Sequence, residues 1–322
     1  MEDDKGGFME KISWIYRYIR SCFQCKIIGK VLPFEQFRNH RIRYFMRYVR
    51  KYRESEKINE DLKQWIKEGK PFAVTRNGMA ETSMFSALER DLLFGLNTRK
   101  KQVGLADFND DKEALAYKEV LEECYRDSDV ICAWFVLPME EYQLKKYVTD
   151  AIFTKTRLVD LYDYDGCWIR ALAGKKVLVV SPFVDTMVEQ YKKRELLHKN
   201  SEVLPEFTLS TVKSVWWYSG GKDPRFTSWY EVLDYLYDEC MKQDFDIALL
   251  SCSTFSSPLA VRLKKSGKQA IQMGGCLQLL FGIKGKRWDD QGIYNEHWVR
   301  LPENTKCGNV SVLDNTEGGI YW

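Results

Sequence analysis

The chain has 322 residues, of which 45% are hydrophobic and 30% are charged, as in an ordinary globular protein with one large or two smaller domains. Its net charge of +3 is too small to indicate a nucleic-acid-binding protein. No stretch approaches the roughly 20 apolar residues of a membrane span, and Arg17, Arg20 and Lys26 interrupt the first apolar segment, so no secretory signal is apparent. These features predict a cytoplasmic protein.

Residues 1–57 differ from the rest of the chain in charge. They contain 14 Lys or Arg against 7 Asp or Glu, and aromatic residues are interleaved with the basic ones. The pattern predicts a helical extension. It could pack on the domain that follows, or it could attach peripherally to the anionic inner face of a membrane. Nucleic-acid binding is the weakest interpretation.

From residue 58 onward, the sequence predicts strands that alternate with helices. The predicted strands span 71–75, 130–136, 158–161, 175–182, 210–218, 246–250 and 269–273. The predicted helices span 58–68, 82–93, 110–127, 140–150, 186–197, 229–241 and 258–265. This alternation predicts one doubly wound, Rossmann-like α/β domain over residues 58–322, with a mostly parallel sheet, behind the basic helical extension.

The stretch from Asp244 to Trp288 contains the clearest strand–helix–strand unit. Ser256 and Ser257 are expected to cap its helix, and Gly267 is expected to end it in a left-handed conformation. Gly274 and Gly275 follow the second strand at the edge where open α/β sheets bind ligands. The glycine pair is also compatible with an ordinary turn.

A set of polar and basic residues beside an aromatic one follows the glycine pair: Gln278, Lys284, Lys286, Arg287 and Trp288. Their density indicates an anion site. A solvated basic loop is the alternative.

The sequence Arg76-Asn77-Gly78-Met79-Ala80-Glu81 follows a predicted strand. Arg76 could bind a phosphate group bidentately, and Glu81 could hold Mg²⁺ or Mn²⁺ through its carboxylate oxygens. The two side chains could instead pair with each other or face water.

The third candidate group lies near the C-terminus. His297 or a carboxylate such as Glu317 could act as general base toward an acceptor hydroxyl, although a lone histidine is more often structural. The chain has no Gly-x-Gly-x-x-Gly fingerprint, no Walker loop and no Gly-x-Ser-x-Gly elbow. Their absence disfavours nucleotide-dependent oxidoreductases, ATPases and serine hydrolases.

At these residues the chain resembles a known family. RNGMAE is similar to the Arg-x-Gly-Asp-Gly-Glu motif of GT-D type glycosyltransferases, which serves the metal and the nucleotide sugar. The blocks KKVLVVSPFVDTMVEQYKKRELL, FDIALLSCSTFSSPLAVRLKKSGKQAIQMGGCLQLLFGIKGKRWD and EGGIYW resemble GT-D-like proteins of bacterial capsule and O-antigen loci. The resemblance covers roughly residues 70–322.

The resemblance implies a hexosyltransferase-type enzyme of surface-polysaccharide synthesis. It would move a sugar from a nucleotide-diphosphate donor to a hydroxyl of a glycan, and this glycan is expected to be lipid-linked. Glu81 would act at a divalent metal or the donor. The expected donor-binding residues are Arg76, Asn77, Gly78, Gly274, Gly275, Gln278, Lys284, Arg287 and Trp288.

The chain departs from the family motif in its acidic pair. The family's Asp is Met79 here, so only Glu81 remains of the acidic pair. The enzyme could therefore be metal-independent. The alternative is a non-catalytic α/β module that binds a glycan or a partner enzyme of the same pathway.

Overall fold

The computed structural model describes residues 2–46, 51–96, 102–103, 106–159, 167–218, 221–302 and 305. The helices are α1 (Glu2–Phe23), α2 (Gly29–Val31), α3 (Phe34–Met46), α4 (Ser55–Glu68), α5 (Met79–Phe94), α6 (Asp111–Asp127), α7 (Glu140–Tyr147), α8 (Val184–Tyr191), α9 (Arg194–Leu197), α10 (Trp229–Met241), α11 (Ser256–Lys265) and α12 (Cys276–Leu280). The strands are β1 (Phe72–Arg76), β2 (Gln102–Val103), β3 (Ala106–Asp107), β4 (Val130–Ala133), β5 (Ile152–Lys155), β6 (Lys176–Ser181), β7 (Thr208–Lys213), β8 (Ile247–Leu250), β9 (Gln269–Gln272), β10 (Ile283–Lys284) and β11 (Val299–Arg300).

Seven parallel strands form the main sheet in the order β5-β4-β1-β9-β8-β6-β7. Side chains alternate between the two faces of each strand, so Ala248 and Leu250 enter one core while Ile247 and Leu249 enter the other. Helices cover both faces, which explains why the strands read as continuous apolar runs. The predicted doubly wound α/β fold is confirmed.

The chain leaves β1 and β9, which are neighbours, toward opposite faces of the sheet. After β1, α5 packs Met84 and Phe85 into the core that contains Ala73. After β9, α12 packs Leu277 into the core that contains Val74. The carboxyl ends of β1 and β9 therefore border a crevice of the kind in which open α/β sheets bind ligands.

Two local predictions are wrong. Ser256 and Ser257 do not cap α11, because Ser256 Oγ accepts a hydrogen bond from Cys252 N at 2.9 Å and Ser257 Oγ donates to Gln272. The strand predicted over 158–161 is replaced by β5, because residues 152–155 pair with β4 and the chain then forms a 3₁₀ turn over Thr156–Val159. Residues 160 and 161 lie outside the described range. Gly267 has a φ of +81°, as predicted.

The N-terminal extension packs on the α/β domain. Ile42 and Phe45 of α3 are buried in the same core as Phe135 and Phe153. The Phe45 ring meets the rings of Phe135 and Phe153 edge-on, with centroids 5.4 and 5.0 Å away. In the described ranges, no helix combines the length and apolarity that crossing a membrane would demand.

Candidate functional site

The side chain of Arg76, the last residue of β1, lies across the backbone at the end of β9. Its Nη1 donates to Met273 O at 3.3 Å, and a methyl group on Gly274 would overlap Nη1. Gly274 also has a φ of +59°, a conformation that glycine adopts without steric cost. Only a glycine at position 274 lets the Arg76 guanidinium lie so close to the end of β9.

The Nε–H of Arg76 is buried, and no described group accepts a hydrogen bond from it. A buried guanidinium N–H without an acceptor is costly, because it has lost its hydration. An anionic ligand in the crevice would supply that acceptor, and guanidinium groups bind phosphate oxygens well.

Two polar side chains brace the ends of β1 and β9. Gln272 Oε1 accepts from Arg76 N at 2.7 Å and from Ser257 Oγ at 2.6 Å. Gln272 thus connects the last residue of β1 to the first turn of α11. The brace fixes the backbone from which the Arg76 side chain extends.

Asn77 is buried and is held by two partners. Its Nδ2 donates to Glu140 Oε1 at 3.1 Å, and Tyr125 OH donates to its Oδ1 at 2.7 Å. Glu140 also accepts from Trp134 N at 2.9 Å and Leu137 N at 3.4 Å. Burial raises the pKa of the Glu140 carboxyl, while these donors oppose the shift. Asn77 is therefore a structural part of the site that fixes the turn between β1 and α5.

The Glu81 carboxylate lies against Gly78 at the start of α5. A methyl group on Gly78, the N-cap residue of α5, would overlap Oε2 of Glu81. Burial raises the pKa of the Tyr117 and Tyr125 hydroxyls, and the negative charge of Glu81 raises both further. Glu81 therefore lies at a helix N-terminus, directly beside the Arg76–Gly78 turn.

Met79, at the position where the GT-D motif that the sequence resembles has an aspartate, is 60% exposed. A side chain so exposed is not needed for packing. An acidic residue would fit here sterically, so the fold does not require a methionine at this position.

The polar and aromatic residues after Gly275 do not form an open set of donors. Gln278 and Trp288 are buried, with Trp288 in the hydrophobic core, so neither offers a free surface to a ligand. Lys284 is partly exposed, and its Nζ lies 5.5 Å from the centroid of the Tyr294 ring. Arg287 belongs to a 3₁₀ turn over Lys286–Gln291, and its side chain lies outside the described part.

His297 contacts a different part of the molecule. Its backbone N donates to Asn295 Oδ1, its backbone O accepts from Gln190 Nε2 of α8, and its ring lies 3.5 Å from Glu296. None of these contacts joins it to Arg76 or Glu81. Glu317 lies outside the described residues, so its role as a base stays a prediction.

The described side chains offer little support for a protein-held metal. Among them, no group of three or more His, Cys, Asp or Glu could hold an ion. Glu81 would contribute one carboxylate, and a Mg²⁺ or Mn²⁺ ion would need oxygen ligands from a diphosphate and water. The metal at Glu81 stays a prediction, and no step proposed below depends on it.

Sequence reasoning missed Glu140, Tyr125 and Gln272. Glu140 is followed by Glu141 at the start of a helix, where acidic residues are common and usually exposed. Gln272 reads as the polar end of a strand. No local pattern distinguishes them, because their partners are distant in the sequence.

No protein-family model and no curated protein matches the chain. It is similar to a structure described as a new glycosyltransferase (DUF1792) from Streptococcus sanguinis, with 13% identity, a TM-score of 0.47 and coverage of 80% of this chain and 91% of that chain. A structure of the domain of unknown function 1792, described as having a distinct glycosyltransferase fold, is 13% identical, with a TM-score of 0.46 and coverage of 79% and 92%. A selenomethionine-substituted structure of this domain is 14% identical, with a TM-score of 0.46 and coverage of 79% and 87%. These values are too low to assign the chain to a family.

Proposed function

We propose that the protein is a glycosyltransferase that uses a nucleotide-diphosphate sugar and transfers the sugar to a hydroxyl of a glycan. The observation that carries the proposal is the Arg76 guanidinium, held over Gly274 in the crevice between β1 and β9 with a buried Nε–H that no described group accepts. The similarity of RNGMAE to the GT-D motif supports the same assignment.

In the proposed reaction, the bond between the anomeric carbon and the diphosphate oxygen breaks, and its electron pair leaves with the diphosphate. The acceptor hydroxyl oxygen forms the new glycosidic bond, and its proton passes to the departing diphosphate or to water. Negative charge grows on the leaving group, and the Arg76 guanidinium would stabilise it. Glu81 lies beside this turn and would orient the donor or a donor-bound metal.

The binding test is calorimetric titration of the full chain with UDP-, GDP- and TDP-sugars, with and without Mn²⁺. We expect one of these donors to bind. We expect Arg76→Ala to weaken that binding at least about tenfold, because a charge-assisted hydrogen bond contributes about 1.5–3 kcal/mol. Arg126→Ala removes an exposed arginine elsewhere and should leave affinity unchanged. Failure of every donor to bind would overturn the proposal.

The exposed Met79 favours a second candidate, a non-catalytic module that retains the crevice without the chemistry. Mass spectrometry of donor transfer or hydrolysis distinguishes the two. If the protein is an enzyme, it should transfer or hydrolyse the donor, and Glu81→Gln should reduce this turnover without abolishing donor binding. If the protein is a non-catalytic module, it should bind a donor or a glycan, and neither the unchanged protein nor Glu81→Gln should show turnover.

A further inference from the structure

Helix α1 is anchored to the domain by one face. Trp14 and Ser21, two helical turns apart, are buried. The Trp14 ring meets Phe94 of α5 edge-on with centroids 5.9 Å apart, and Ser21 Oγ accepts a hydrogen bond from Met139 N at 2.8 Å. These contacts fix the rotation of α1 about its own axis.

The opposite face of α1 is apolar and exposed. Large side chains recur there every three or four residues, the spacing that places residues on one side of a helix. Phe8 is 63% exposed and Ile19 is 62% exposed. The face continues beyond α1 through the π turn Gln24–Ile28. We call it the apolar stripe: Phe8, Ile12, Ile15, Ile19, Phe23 and Ile27.

The exposed large hydrophobic residues are concentrated in and around the apolar stripe. Of the large hydrophobic residues that are exposed in the described ranges, most lie between residues 8 and 34. Scattered apolar residues on a surface need no explanation, whereas a contiguous row of this length indicates a contact surface.

The charge around the stripe identifies the partner. From residue 11 to residue 30 the chain has five Lys or Arg and no acidic residue. The four acidic residues of α1 lie at its start, between Glu2 and Glu10. Lys11, Lys26 and Lys30 are exposed along the same helical segment. A second copy of so basic a face would be repelled, whereas a bilayer with anionic headgroups satisfies both the apolar row and the lysines.

We propose that α1 and the π turn after it lie in the surface of a bilayer that contains anionic lipid, with the apolar stripe facing the acyl chains. The helix lies parallel to the membrane and does not cross it. Its anchored face contacts the loop before α7 through Ser21, and Arg41 donates from α3 to the carbonyl oxygens of Phe135 and Leu137 in that loop, both at 3.3 Å. The proposed membrane face therefore lies one helix diameter from the segment that holds Glu140.

The test is flotation of the full chain with vesicles of phosphatidylcholine alone and of phosphatidylcholine mixed with phosphatidylglycerol. We expect binding to the mixed vesicles, partly reversed by added salt because the lysine contribution is screened. Ile12→Asn together with Ile19→Asn should weaken binding at least about tenfold, since each removes apolar area from the contact. Lys26→Glu together with Lys30→Glu should abolish the preference for anionic vesicles.

The control is Leu196→Asn, which changes a half-exposed leucine outside the stripe and should bind as the unchanged protein does. All the substituted side chains are exposed, and thermal unfolding verifies that each variant folds. Equal flotation of the stripe variant and the control would overturn the proposal. So would sedimentation equilibrium showing a dimer that the stripe variant dissociates, with no vesicle binding. The assay contains no sugar donor, so its outcome is independent of the glycosyltransferase assignment.

Discussion

Gly274 carries two separable constraints, a left-handed backbone and the space taken by the Arg76 guanidinium. Gly274→Ala should lose about 1–2 kcal/mol of unfolding free energy from its φ of +59° and should also displace the guanidinium. Gly267 is a matched control, because its φ is +81° and no atom lies within 4 Å of an added Cβ. We therefore expect both alanine variants to be less stable in urea unfolding.

Only Gly274→Ala should weaken binding of the sugar donor in calorimetry. Equal donor affinity of the two variants would show that Arg76 does not need its present position. The glycine pair itself was predictable, because it follows an apolar strand. The contact between Arg76 and Gly274 was not predictable. Almost 200 residues separate the two positions, and they are brought together only because β1 pairs with β9.

Helix α3 shows that the extension contributes to the core, and Phe45 is the residue that tests it. Phe45 is 1% exposed between Phe135 and Phe153, and Phe34 at the start of the same helix is 52% exposed. Phe45→Ala should lower the unfolding free energy by about 3–5 kcal/mol, and Phe34→Ala by less than about 1 kcal/mol. Urea denaturation measures both.

A single cooperative urea transition is expected, since α3 shares its core with the sheet. A separate early transition for the extension, unaffected by Phe45→Ala, would contradict this. The sequence predicts that residues 1–57 are helical and basic. It does not predict which aromatic residues are buried, because rings alternate with arginines on every side of the segment.

Strands and helices between residues 58 and 272 were largely predictable, because β4, β6 and β8 are almost entirely apolar and most of the helices have a periodic inner face. The failures at individual polar side chains share one cause. Ser256, Ser257 and Glu140 are used for hydrogen bonds to distant backbone or side-chain groups, where local rules assign a helix cap or an exposed acid. Site residues that depend on tertiary partners leave no signal in one sequence.

The pH dependence of folding stability follows from Glu140. Burial raises its pKa in the folded state, so the folded protein binds the proton more tightly than the unfolded chain does. The stabilisation is complete below the unfolded pKa of about 4.3 and is lost as pH rises through the folded pKa. Thermal unfolding across this range should show Glu140→Gln gaining stability relative to the unchanged protein as pH increases.

Burial also raises the pKa of Glu141, so part of the pH dependence should remain in Glu140→Gln and decrease further in the double glutamine variant. His198 acts in the opposite direction, since burial lowers its pKa and its contribution is lost as pH falls below the unfolded value. A difference between Glu140→Gln and the unchanged protein that does not vary with pH would mean that the Glu140 pKa is the same in the folded and unfolded states, which would contradict the prediction.

The hydrogen bonds from Ser21 and Arg41 to the loop before α7 have a practical consequence for shortened versions of the protein. Deleting the N-terminal helices α1 to α3, which expose apolar side chains, is an obvious way to improve solubility. It would also strip the donors from Phe135 O and Leu137 O, leave Met139 N without Ser21, and open the ring of Phe153 to water. That loop also donates a hydrogen bond to Glu140, which in turn binds Asn77. Loss of activity in a truncated protein would therefore say nothing about whether the intact protein is an enzyme.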